Sequence, residues 1–238
     1  MSVITLEGSQ GTAKSTMATA LCYDDWDRNK RQIISNNHIN LPTREGWPPF
    51  KHFDLGWFME HLVDGELENC SLFLDEMYQI ADNRSSQTKL NKLFTYFVVQ
   101  TRKRNVDLYF CTHHIDHVDI RLRRAADIRG ACKYYPEVPC KKCKCSKCHG
   151  VGKLSNGQSC DECGGIGGTG VGKDGRPCEH CRGYGVAGIA RTYFLDRRAR
   201  QRYTVEINAP AYWHIFNTKE RIPFQAKVLA GIDVEEVV

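Results

Sequence analysis

A glycine-containing loop follows the first apolar run of the sequence and could bind phosphate. Residues 3–6 predict a strand, and the residues from about 14 to 23 predict a helix. The loop and the helix start comprise Gly8, Ser9, Gln10, Gly11, Thr12, Ala13, Lys14, Ser15 and Thr16. Backbone N–H groups in such a turn surround phosphate oxygens, and the positive end of the helix dipole adds to the attraction. Lys14 would reach the β- and γ-phosphates of a nucleotide, and Ser15 would ligate Mg²⁺.

One position departs from the Walker A pattern GxxxxGK[ST]. Ala13 stands where glycine is expected. Because alanine adds only one methyl group, a variant phosphate loop remains compatible with the sequence. The alternative is an ordinary glycine-rich turn between a strand and a helix.

A second segment could supply the metal ligand and the base for hydrolysis. The apolar strand predicted at 71–74 ends in Asp75 and Glu76, which is the Walker B arrangement. Asp75 would hold Mg²⁺ through water, and Glu76 would polarise the attacking water. The alternative is a strand end covered by solvated acids. Both features occur in the expected order, each beside a predicted strand, and together they predict ATP binding and hydrolysis.

Polar residues also follow the strand predicted at 106–111. Thr112 and His113 would lie beside the γ-phosphate and report hydrolysis to the rest of the chain. His113, His114 and His117 have ligand-like spacing, so a metal site or a solvated loop is the lower-ranked alternative.

Arginines lie on both sides of this strand and suggest a role in a neighbouring subunit. One of them, Arg121 in our assignment, would reach a neighbour's γ-phosphate as an arginine finger. The alternatives are a solvated basic face and contacts to DNA phosphates. The arginines concerned are Arg102, Arg104, Arg121, Arg123 and Arg124.

Eight of the 12 cysteines form CxxC pairs and predict metal binding. Three pairs belong to CxxCxGxG repeats, and each pair can bring two thiolates to one tetrahedral ion. Since no secretion signal precedes them, we expect two Zn²⁺ ions rather than disulfides. The other four cysteines lie in apolar stretches. The predicted ligands are Cys140, Cys143, Cys145, Cys148, Cys160, Cys163, Cys178 and Cys181.

Composition divides the 238 residues into three parts. Residues 1–136 alternate apolar runs with helical patterns and predict an α/β core with a parallel sheet. Residues 137–188 nearly lack large aliphatic side chains, so they cannot build a hydrophobic core and need another source of stability. Residues 189–238 complete the core, with a β-hairpin predicted from strands at 189–195 and 202–208. No apolar run is long enough to cross a membrane, and a cytoplasmic location is expected, in the host if the protein is viral.

The order of these motifs resembles the zonula occludens toxin-like phage assembly ATPases and the wider FtsK–HerA class of DNA-pumping and viral packaging ATPases. The resemblance covers most of residues 1–136 and 189–222. It implies a P-loop NTPase fold, a homo-oligomeric ring, DNA bound without sequence specificity, and a viral capsid or assembly partner. The segments that carry it are GSQGTAKS at 8–15, ISNN at 34–37, LFLDE at 72–76, TRKRNVD at 101–107, YFCTH at 109–113, VDIRLRR at 118–124 and YWHIFNTKE at 212–220.

Two departures from that class matter. His113 replaces the usual glutamine, and the membrane anchor of filamentous-phage assembly ATPases has no counterpart in this sequence. The second departure favours a soluble packaging or translocation motor.

The cysteine repeats resemble the cysteine-rich domain of DnaJ-type chaperones. The resemblance implies that the outer pairs, at 140–143 and 178–181, share one zinc ion and the inner pairs share the other. The pair at 140–143 lacks the glycines of the other repeats. No His-Pro-Asp signature occurs, so a co-chaperone function is not implied.

The sequence thus predicts an ATP-driven motor for DNA translocation or viral genome packaging. The zinc segment, with Lys141, Lys142, Lys144 and Lys147, would contact DNA or a partner protein, and the hairpin arginines at 197–202 could follow a phosphate backbone. One alternative is a nucleotide-gated adaptor that recruits a protein through the zinc segment. A small-molecule kinase is disfavoured by the adjacent Asp75 and Glu76.

Overall fold

One eight-stranded sheet organises the part of the chain that the computed structural model describes, namely residues 2–64, 67–85, 88–140, 143–163, 167–171, 175–176, 178 and 186–216. The strand order is β3-β2-β4-β5-β1-β6-β7-β8. The strands are β1 Val3–Glu7, β2 Gln32–Ser35, β3 Lys51–His52, β4 Cys70–Leu74, β5 Asp107–Thr112, β6 Ile128–Pro139, β7 Val186–Asp196 and β8 Gln201–Asn208. The six strands β3, β2, β4, β5, β1 and β6 pair in parallel in that order. Strand β7 pairs antiparallel with β6 and with β8.

Helices cover both faces of the parallel part of the sheet. One core packs α2, α3 and α4 against the sheet, with Phe58, Phe94 and Phe97 among its buried rings. The other core packs α1 through Met17 and Trp26. Cover on both faces explains why all five residues of β4 are buried and apolar or small. The helices are α1 Lys14–Asn29, α2 Leu55–Asp64, α3 Lys89–Gln100 and α4 Ile120–Ala125.

The carboxyl ends of the parallel strands meet at one edge of the sheet. The register pairs Glu7 at the end of β1 with Thr112 of β5 and with Ala131 of β6. Strand β6 then continues for eight residues to Pro139, about 26 Å at the usual rise per residue. Its partner β7 begins at Val186, opposite Pro139. The cysteine segment therefore leaves the sheet on the same side as the loop after β1.

The predicted α/β fold with a parallel sheet and a terminal hairpin is confirmed. Helix α1 extends to Asn29, six residues beyond its expected end. The apolar spacing at 90, 93, 94, 97 and 98 predicts a helix from Lys89 to about Arg104, and α3 ends earlier, at Gln100. Three prolines within residues 40–56 predict a loop there. That prediction is wrong at two places, because Lys51–His52 pairs with β2 and α2 begins at Leu55. No helix in the described ranges combines the length and the apolarity needed to span a bilayer. Residues 217–220 of the late aromatic segment lie outside the described residues.

Candidate nucleotide site and cysteine clusters

The loop after β1 is a tight turn whose backbone depends on glycine. Gly8 and Gly11 have φ of 154° and 80°. A Cβ on Gly8 would lie 2.6 Å from the Thr12 hydroxyl and 3.0 Å from the Cys132 carbonyl oxygen, so only glycine fits there. Thr12 closes the turn because its hydroxyl donates to the carbonyl of Ser9 at 2.8 Å.

Ala13 occupies the left-handed region at the first turn of α1, with φ 63° and ψ 32°. Glycine adopts this conformation without steric cost, whereas a Cβ costs roughly 1–2 kcal/mol. The expected glycine of the Walker A pattern thus corresponds to a real backbone requirement. The chain meets that requirement with an alanine, and its loop keeps the geometry at an energetic cost.

Lys14 and Ser15 bring the phosphate loop to the end of β4. Lys14 is buried, and its Nζ donates to the carbonyl oxygen of Ser9 at 3.1 Å, so the ammonium lies within the loop. The Ser15 hydroxyl donates to Asp75 Oδ2 at 2.6 Å. A hydroxyl and a carboxylate at this separation are oxygen ligands of the kind that Mg²⁺ binds. The predicted Walker A and Walker B residues therefore lie at one site.

Two asparagines that sequence analysis left without a role hold Asp75 in place. Asn36 Oδ1 accepts the Asp75 backbone N–H at 2.8 Å, and its Nδ2 donates to the Asp75 carbonyl at 3.0 Å. The buried Asn37 donates from Nδ2 to Asp75 Oδ2 at 2.8 Å. Both residues follow β2, which neighbours β4 in the sheet, so their side chains lie at the same edge as Asp75.

Glu76 presents one carboxylate oxygen that has no hydrogen-bond partner among the described residues. Its backbone is left-handed, with φ 52° and ψ 49°, and its N–H donates to Asp75 Oδ1 at 3.0 Å. Its Oε1 lies 3.5 Å from His113 Nε2. Its Oε2 is buried and accepts no hydrogen bond from any described residue. A buried oxygen of this kind is suited to accept a hydrogen bond, and then a proton, from a bound water.

Of the two predicted sensor residues, only His113 contacts the acidic pair. Thr112 is fully buried, and its hydroxyl donates to the carbonyl of His114 at 3.0 Å, which stabilises the turn after β5. The lower-ranked alternative of a histidine metal site gains no support. Within the described ranges, the groups of three or more His, Cys, Asp or Glu side chains that lie close enough to hold one metal ion consist of cysteines alone.

The Arg121 side chain forms an ion pair with Asp119 of its own chain. Its Nη2 lies 2.7 Å from Asp119 Oδ2, and its Nε lies 3.0 Å from Oδ1. Asp119 is fully buried and begins α4 by accepting the Arg121 backbone N–H. The hydrogen bond from the Arg121 side chain lowers the pKa of Asp119, against the opposing effect of burial. The assignment of Arg121 as an arginine finger stays a prediction.

The cysteines form two clusters of buried thiols, divided as the chaperone resemblance implies. The inner cluster comprises Cys145, Cys148, Cys160 and Cys163, and the outer one comprises Cys140, Cys143 and Cys178. Within each cluster the sulfur atoms lie within 4.8 Å of one another. The Sγ atoms of Cys145 and Cys160 are 3.8 Å apart, and those of Cys140 and Cys178 are 4.0 Å apart. Cys181, the predicted fourth outer ligand, lies outside the described residues.

These clusters fit zinc by their donor chemistry. Four sulfurs at about 2.3 Å from one tetrahedral ion lie roughly 3.8 Å apart, close to the separations found here. The N–H groups of Gly152 and Gly167 donate to the sulfurs of Cys148 and Cys163 at 3.3 and 3.2 Å. Burial raises the pKa of Cys148, but the N–H groups of Gly152 and Gly150 oppose it and the pKa falls to about 7. The backbone N–H of Cys148 lowers the pKa of Cys145, but burial and the hydrogen bonds with the sulfurs of Cys148 and Cys160 raise it to about 12. Within this cluster the thiolate form is thus favoured at Cys148.

Comparison with known proteins locates this fold among solved structures. No protein-family model and no curated protein matches the sequence. The N-terminal domain of zonular occludens toxin from Neisseria meningitidis aligns over 91% of this chain and 99% of its own, with a TM-score of 0.51 and 11% identity.

Viral proteins are also similar at lower scores. The genome packaging NTPase B204 from Sulfolobus turreted icosahedral virus 2, in complex with sulfate, covers 85% of this chain and 94% of its own, with a TM-score of 0.49 and 11% identity. The DNA-packaging ATPase B204 from Sulfolobus Turreted Icosahedral Virus covers 85% and 96%, with a TM-score of 0.47 and 13% identity. Taken together with the loop geometry, the toxin alignment shows that this chain has a P-loop NTPase fold, shared with the N-terminal domain of zonular occludens toxin.

Proposed function

We propose that the protein is an ATP-hydrolysing motor that translocates or packages DNA. The observation that carries this proposal is the 2.6 Å hydrogen bond between the Ser15 hydroxyl and Asp75, which joins the phosphate loop to the acidic strand end. Lys14 lies in the same loop, and Glu76 follows Asp75 directly. The order of motifs along the chain, which resembles that of the FtsK–HerA class of DNA-pumping ATPases, supports the choice of a DNA motor among P-loop enzymes.

The residues of the site divide the work of hydrolysis. The loop N–H groups and Lys14 bind the β- and γ-phosphates and balance their charge. Ser15, and Asp75 through water, would hold Mg²⁺, which would supply charge neutralisation for the transferred phosphoryl group. Glu76 Oε2 orients the attacking water and accepts its proton, while His113 keeps the other carboxylate oxygen in position. The products are ADP and phosphate.

An ATPase assay with and without double-stranded DNA tests this proposal. The wild-type protein is expected to hydrolyse ATP, and faster with DNA. The Glu76→Gln variant is expected to bind ATP with unchanged affinity and to lose turnover by about 10²–10⁴-fold, since it lacks the base. Molecular mass measured in ATP reports whether a ring forms.

Glu68→Gln removes an exposed acid from the turn before β4 and serves as the matched control, with turnover unchanged. ATP binding with no DNA-stimulated turnover in the wild type would favour the nucleotide-gated adaptor instead. Absence of affinity for ATP and Mg²⁺ would overturn both functions.

A further inference from the structure

Two arginine-rich segments that are far apart in sequence meet in the fold. One comprises α4 and the start of β6, and the other is the turn between β7 and β8. The Arg197 guanidinium in that turn donates to the carbonyls of Arg124 at 3.2 Å and Ala126 at 3.0 Å, at the end of α4. The Arg129 guanidinium donates to the carbonyl of Arg123 at 2.8 Å. The two segments thus form one surface.

This surface, which we term the arginine patch, carries a strong excess of positive charge. Two half-buried arginines, Arg123 and Arg129, lie beneath it, and the aspartates among it are Asp116, Asp127 and Asp196. Burial, followed by the charges of Arg197 and Arg123, lowers the pKa of Arg129, so the cations repel one another. The exposed members of the patch are Arg124, Arg197, Arg198, Arg200 and Arg202.

The fold uses some of these cations and leaves others available. The Arg197 side chain donates to the carbonyl of Ala126 at the end of α4. The Nε atom of Arg198 lies 2.5 Å from Asp127 Oδ1. In contrast, Arg124, Arg200 and Arg202 form no ion pair with any residue that the structure describes. Cations that are held together without compensating acids are stabilised by a polyanion rather than by the rest of the fold.

The arginine patch lies at the edge of the sheet opposite the nucleotide site. Asp196 pairs with Ile128, which pairs with Ile4 at the start of β1, whereas Gly8 follows the other end of that strand. The cysteine segment begins at the edge of the sheet that carries the candidate nucleotide site. In that segment, Lys147 Nζ already forms an ion pair with Asp161 Oδ1 at 2.6 Å. The patch therefore has no part in binding the phosphates of its own chain's nucleotide.

We propose that the arginine patch binds the phosphate backbone of nucleic acid. Guanidinium groups pair with phosphate oxygens through two hydrogen bonds, and such contacts carry no sequence information. The inference rests on the proposed motor function for the identity of its ligand, DNA. It places the DNA contact on this patch rather than on the cysteine segment.

The double variant Arg124→Gln/Arg202→Gln tests the patch, with labelled duplex and labelled single-stranded DNA as separate probes and no ATP present. The change removes two exposed charges and keeps the apolar stems. The slope of log affinity against log salt concentration is expected to become shallower by about 1.8 for the duplex and about 1.4 for the single strand. Arg124→Lys/Arg202→Lys is expected to restore the slope.

The matched control is Lys92→Gln/Lys103→Gln, which removes two exposed cations near α3 and is expected to leave the slope unchanged. Unchanged DNA affinity in the Arg124→Gln/Arg202→Gln variant would overturn the inference and leave the ATPase proposal intact. Loss of self-association with unchanged DNA affinity would also overturn it and assign the patch to contacts between copies. A shallower slope in the Arg124→Gln/Arg202→Gln variant, combined with a wild-type protein that shows no ATP turnover, would support the patch while refuting the motor.

Discussion

At the scale of single residues, two non-glycine residues at the site have left-handed backbones. Ala13 opens α1 beside the phosphate loop, and Glu76 follows the Asp75 carboxylate. Each such conformation costs roughly 1–3 kcal/mol and persists because surrounding contacts impose it. For Glu76 those contacts include its N–H bond to Asp75, which is itself held by Asn36 and Asn37. Strain and hydrogen bonding together fix the direction of the proposed base.

Ala13→Gly is expected to stabilise the protein. Glycine removes the steric cost of the left-handed conformation, and this gain exceeds the added freedom of the unfolded chain. We expect the free energy of unfolding to rise by about 0.5–1 kcal/mol, measured by urea denaturation. Ala20→Gly, in the middle of α1, is the control and should lower it by about 1 kcal/mol or more. An equal loss in both variants would contradict the interpretation of Ala13.

At the scale of elements, α4 depends on one buried acid at its start. Asp119 accepts the backbone N–H of Arg121 and pairs with the guanidinium of the same residue. At the carboxyl end of this short helix, backbone carbonyls accept hydrogen bonds from the side chains of Arg197 and Arg129. This acid thus helps to position both α4 and the arginine patch.

Asp119→Ala is expected to destabilise the protein by about 1 kcal/mol at pH 7 because α4 loses its N-cap. The folded state lowers the pKa of Asp119, so this stabilisation is fully present above the ordinary carboxyl pKa of about 3.9. It is lost as the pH falls through the lower folded value. Urea midpoints of wild type and variant should therefore converge in acid. A difference that persists unchanged at low pH would refute the role of the charge.

The sequence predicted those elements whose pattern is local. Strands β1 and β4 are short apolar runs, and each is followed directly by residues of the candidate site. Both predicted strands are present in the structure. Strand β6 was not predicted, because its partners are β1 and, across the cysteine segment, β7. Helix α2 was missed because the prolines at 42, 48 and 49 indicated a loop. The roles of Asn36 and Asn37 depend on strand order, which no local pattern reveals.

At the scale of the whole molecule, the cysteine clusters form a unit with its own source of stability. Their buried residues make two small clusters separate from the two cores of the sheet. Gly167 accepts the Cys145 N–H at 3.0 Å, and Gly152 accepts the Cys160 N–H at 2.9 Å, so backbone bonds also link the cysteine turns. Metal binding would replace the missing apolar core.

Cys160→Ser is expected to reduce bound zinc from two ions per chain to one, because the inner cluster loses one of its four thiolates. Metal analysis of the purified protein measures this change. ATP binding should persist, since the cores around α1 and α3 do not include the cysteine clusters. Ser159→Ala, an exposed neighbouring change, should keep both ions. Retention of both ions in Cys160→Ser would contradict the assigned ligands.

The antiparallel arm formed by β6 and β7 has a consequence for how this chain can be altered. The last residue pair of this arm is Pro139 and Val186, so the two ends of the cysteine segment between them lie side by side. A short hairpin connection can bridge that gap without breaking a single ladder bond of the sheet. The cysteine segment can therefore be removed, exchanged or lengthened in an engineered chain while the paired strands of the sheet are kept.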